Sequence, residues 1–84
     1  MNLSSDVFEY DAKEKMLKRA FNYKFPDSVF VTSSRTKNTV KFLPVSYGDD
    51  LFDEDGWDGE QMVYRAVSPD PKIREVSLVL YHSF

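Results

Sequence analysis

Twelve consecutive residues, Asp49 to Glu60, read D-D-L-F-D-E-D-G-W-D-G-E and hold seven carboxylates and no basic group. So many like charges repel one another and resist transfer out of water, so the stretch is expected to face solvent. It divides the chain: a core has to be assembled from the residues before it and after it. Leu51, Phe52 and the sole tryptophan, Trp57, stand as apolar anchors among the charges.

With 84 residues the chain is expected to form one small domain. It has no cysteine, so neither a disulfide nor a thiolate metal site supports the fold. Apolar packing must do so, and a hydrophobic content of 42% with 15% aromatics is too rich for a disordered chain. The first residues, M-N-L-S-S-D-V, lack the basic and apolar regions of a secretory signal. No apolar run approaches the roughly 18 residues that a membrane-spanning helix needs. A soluble, cytoplasmic protein is expected, with no membrane partner.

Charge is unevenly distributed. Residues 12–41 carry eight Lys and Arg against Glu14 and Asp27, whereas residues 42–60 carry only acids. The chain is dipolar in sequence, and the fold decides whether it is dipolar in space.

The N-terminal pattern predicts a helix over about 6–24. Asp6 and Asp11 each precede a glutamate by three positions, a capping-box-like spacing. Met16, Leu17, Ala20 and Phe21 recur at helical intervals, and Pro26 favours a stop near Lys24. Strands are expected at about 28–33, 39–47, 61–67 and 73–83, from β-branched and aromatic runs separated by polar or Pro-containing turns. Pro44 cannot donate to a ladder, so the second strand must lie at an edge or be bulged there. The fold class expected is α+β: one helix on a four-stranded, mainly antiparallel sheet, two hairpins joined by the acidic loop 48–60. A small curled, barrel-like sheet is the alternative.

Catalytic signals are weak. His82 is the only histidine, no Ser lies in a nucleophile motif, and no carboxylate of the acidic stretch has surroundings that would raise its pKa. Gly48, Gly56 and Gly59 form no phosphate-binding loop. D-E-D-G resembles the start of a calcium loop, but placing Gly56 or Gly59 at its sixth position puts Met62 or Arg65 where the closing glutamate belongs. No enzyme activity, cofactor or metal is expected.

Two binding modes remain. Lys13, Lys15, Lys18, Arg19 and Lys24 on the expected helix, with Arg35 and Lys37 on the first hairpin turn, could track nucleic-acid phosphates. The net charge of −3 and the acidic stretch oppose that. The leading expectation is a protein-binding module, an inhibitor or regulator of the small type that viruses and mobile elements encode. It would dock on a basic surface through Asp49, Asp50, Leu51, Phe52, Asp53, Glu54, Asp55, Trp57, Asp58 and Glu60. The apolar anchors would supply affinity, and the carboxylates on-rate and selectivity, standing in for phosphates.

Overall fold

The computed structural model describes residues 1–49 and 59–83, with the side chains of Asp49 and Ser83 excepted. Seven strands form one sheet: β1 (Asn2–Ser4), β2 (Glu9–Asp11), β3 (Met16–Ala20), β4 (Val29–Thr32), β5 (Thr39–Asp49), β6 (Gly59–Val67) and β7 (Ser77–Ser83). One helix, α1 (Pro71–Arg74), joins β6 to β7, and a 3-10 turn, Ser5–Val7, follows β1. The strand order is β1-β4-β5-β6-β7-β3-β2. β4 to β7 make an antiparallel meander, β1 adds in parallel to β4, and β3 adds in parallel to β7 with β2 antiparallel beyond it.

The expected α+β fold is overturned: the described residues form a curled half-barrel of seven strands, and residues 6–24 hold no α-helix. In residues 6–24 the capping-like acids serve turns. Asp11 accepts from the backbone N–H groups of Lys13 and Glu14, both at 3.1 Å, and closes the β2–β3 hairpin. Lys15 completes that turn at φ 54°, a left-handed conformation unusual for a residue with a Cβ. Asp6 accepts from the Ser34 hydroxyl at 2.9 Å instead of capping a helix. The fourth expected strand begins later than read, since Pro71–Arg74 is helical, with Asp70 accepting from the Lys72 N–H at 2.9 Å. Pro44 lies two residues past Phe42, the last β5 residue paired with β4, so its missing donor falls on an open side of the strand. The ladder to β6 also slips between Pro44 and Ser46, a bulge.

Connectivity forces the curl. In a flat sheet β1 and β2 would be six strand spacings apart, ~29 Å. Yet only residues 5–8 join Ser4 to Glu9, a span of at most ~17 Å. The sheet edges must therefore approach each other. Phe8, in this link, is buried in the interior, and Arg19 on β3 donates to the Val7 carbonyl at 3.1 Å.

Inward positions follow the strand period of two. Cross-strand partners share a face, so Phe42 meets Ala66 and Val29, and Tyr64 meets Leu78. Tyr64, Leu78, Leu80 and Val29 are fully buried. Tyr64 carries the one polar atom at this depth among these four, and its hydroxyl donates to the Pro26 carbonyl at 2.7 Å. That bond ties the connection from β3 to β4 over the barrel interior. Among the described residues no helix is long and apolar enough to cross a membrane.

Candidate functional site

The acidic stretch leaves the sheet at the end of β5 and re-enters it at the start of β6. Of the residues expected to bind a partner, Asp50, Leu51, Phe52, Asp53, Glu54, Asp55, Trp57 and Asp58 lie outside the described residues. Asp49 ends β5, and its register partner is Glu60, which in turn pairs with His82 on β7.

Glu60 is the centre of a polar layer at this mouth of the barrel. One carboxylate oxygen accepts from the Tyr47 hydroxyl on β5, and the other meets Nε2 of His82 on β7. The alternation that points Tyr64 and Met62 inward brings Glu60 inward next, just as Leu78 and Leu80 are followed by His82. The bulge at Val45 restores the register that places Tyr47 opposite Met62. One side chain thus spans three strands at the root of the acidic stretch. Hydrogen bonds from Tyr47, then His82, favour the ionised form and hold the Glu60 pKa below its ordinary 4.5.

Aromatic rings from the β3–β4 connection close over this layer. Phe25 packs 5.6 Å from the His82 ring and 6.4 Å from Tyr47, centroid to centroid. Phe21 stacks behind Phe25 at 6.4 Å, and Tyr23 meets Phe21 edge-on at 5.7 Å. Of this group only Glu60 belongs to the partner-binding residues expected from the sequence; Tyr47, His82 and Phe25 do not. The signal available was register: pairing Val63 with Val79 brings Glu60 to His82, but the Pro-rich turn between the strands conceals that register.

The bases lie mostly at the other end. Lys13 and Lys15 sit in the β2–β3 turn, Arg35 and Lys37 in the β4–β5 turn, and Lys72 and Arg74 in α1. All three connections are at the end of the sheet away from Asp49 and Gly59, ~33 Å along β5. Acids are interspersed there, and Glu75 takes Lys15 at 2.8 Å. Lys24, beside Phe25, stands at the acidic end. The expected basic helix does not exist, so Lys13, Lys15, Lys18, Arg19 and Lys24 form no helical stripe. Lys18 instead faces Asp11 at 3.8 Å.

Among the described residues no three of His, Asp and Glu gather closely enough to hold a metal ion. No protein family, curated protein or solved structure matches this chain.

Proposed function

We propose that the chain is a non-enzymatic binding module that docks its acidic stretch on a basic surface of a macromolecular partner and so regulates or blocks it. Carboxylates would occupy the places of nucleic-acid phosphates, with Leu51, Phe52 and Trp57 as anchors. The observation that carries this reading is the polarity of the barrel. The stretch is rooted at the Tyr47–Glu60–His82 mouth, while the turns bearing Lys13, Lys15, Arg35, Lys37, Lys72 and Arg74 lie at the opposite end. Most of the chain's own cations are thus too distant to neutralise the root. A cytoplasmic setting and an origin in a virus or mobile element belong to the same proposal.

The test is titration of a lysine-rich peptide into the protein, by calorimetry, at low and high salt. Binding that weakens with salt and is lost in the triple variant Asp53→Asn, Glu54→Gln, Asp55→Asn is expected. Affinity capture with the native and triple-variant proteins then identifies the partner. Equal binding by the two proteins would overturn the proposal, as would salt-sensitive binding to bare DNA or RNA.

A further inference from the structure

The outward face of the meander differs from the mouth in charge. Leu43 and Val67 are 38% and 55% exposed, and the bulged Val45 is 57% exposed. They are unusual positions for aliphatic side chains on a strand surface flanked by solvent. Two cations stand among them. Lys41 is the register partner of Val67 and of Phe30, and its ammonium lies 5.9 Å from the centroid of the Phe30 ring. Arg65 is the register partner of Leu43. The other described outward positions of β4, β5 and β6 hold Thr, Ser, Gly, Gln and Val, so the face carries cations and apolar groups without a carboxylate. Neither Lys41 nor Arg65 forms an ion pair among the described residues.

This face is the complement, in both charge and apolar character, of the segment 49–60. The stretch of the same chain cannot reach the far part of this face, at Lys41 and Val67. Nine residues that leave Asp49 and return to Gly59 reach at most ~16 Å from their root. Lys41 lies eight residues back along β5, ~26 Å away. A neighbouring molecule has no such limit. We infer that the Lys41–Arg65 face of one copy receives the acidic end of a second copy of this chain, giving head-to-tail self-association. The inference rests on the proposal that the acidic stretch is a docking element, and it names one basic surface that this element fits. A head-to-tail contact uses two different surfaces of each molecule, so it can extend beyond a dimer. Its charged component makes it sensitive to salt.

Sedimentation over a range of concentrations measures it directly. At low salt the mean mass is expected to rise above the 9.8 kDa of the single chain and to fall back at high salt. The double variant Lys41→Glu, Arg65→Glu is expected to remain monomeric, and so is Asp53→Lys, Asp55→Lys. Mixed together, the unaltered acidic stretch of the first variant meets the unaltered Lys41–Arg65 face of the second, and association is expected to return. Circular dichroism checks that each variant is folded. A native protein that stays at the single-chain mass at every concentration overturns the inference, as does association that survives Lys41→Glu, Arg65→Glu or a mixture that fails to recover it. Monomeric native protein that still binds the lysine-rich peptide through Asp53, Glu54 and Asp55 leaves the docking proposal standing and removes this one alone. Self-association without peptide binding does the reverse and confines the acidic stretch to its own kind.

Discussion

Two layers of the barrel interior, one step apart on the same strands, have opposite chemistry. Tyr64 and Leu78 face each other at full burial, and Met62 faces Leu80 above them. One further inward step gives Glu60 and His82, joined by Tyr47 across β5. The inner layers remove apolar surface from water, and such burial contributes about 1.5–3 kcal/mol for each large aliphatic side chain. The outer layer adds little of that. Its hydrogen bonds instead fix the relative positions of the strand ends from which the acidic stretch departs. Backbone geometry is shared between the layers, and depth decides which one carries stability and which one shapes a surface.

The sharpest way to break this contrast is to truncate the inner layer. Leu78→Ala is expected to cost about 2–5 kcal/mol, as removal of a fully buried side chain from a packed interior does. Denaturant unfolding measures it, and a loss near zero would mean that the inner layer does not hold the fold.

Tyr64 tests the same layer more gently. Tyr64→Phe leaves the Pro26 carbonyl without its donor, an expected loss of about 1–3 kcal/mol. Burial first, and then the nearby Asp27 carboxylate, push the Tyr64 pKa up to about 12 from 10.0. The neutral phenol is therefore favoured by the native state. Its contribution is full below 10.0 and is lost as pH rises through about 12. Melting curves across that window should fall more steeply for the native protein than for Tyr64→Phe, and parallel curves would contradict the assignment.

The smallest effect is expected in the polar layer. The Glu60 pKa is depressed, so its carboxylate stabilises the native state above the ordinary 4.5 and ceases to do so as pH falls through the lower native value. Glu60→Gln should remove that part of the acid sensitivity while leaving the core intact. Thermal melts from neutral to acid pH compare the two proteins. An unchanged acid limb would show that the Tyr47 and His82 bonds do not favour the ionised carboxylate.

The stretches read as strands at 28–33, 39–47, 61–67 and 73–83 overlap β4 to β7, because alternation and turn residues are written locally there. Residues 6–24 carried the opposite message. Leu17 and Phe21 satisfy a period of four as well as a period of two, and Arg19, the inward residue between them, hides the alternation. The hairpin turn 12–15, A-K-E-K, contains no Gly, Pro or Asn to announce it. What makes this segment a strand is its pairing with β7, a partner near the other end of the chain, and local propensity does not register such a contact. The site was legible in the same partial way. Glu60 could be named as an acid, but its partners depend on register across two hairpins.

The four-residue link from β1 to β2 has a consequence for how the molecule is made. Leu3 must wait for Val31, and Leu17 for Leu78. Residues 1–20 are synthesised before either partner, yet they cover both flanks of the meander. Non-local pairing of this kind slows folding, and the flanks of β4 and β7 stay open to other chains until it is complete. β2 and β3 are translated early and are the last strands that can be ordered, because β7 is made at the far end of the chain, so the nascent protein is most prone to aggregate just before its sheet closes.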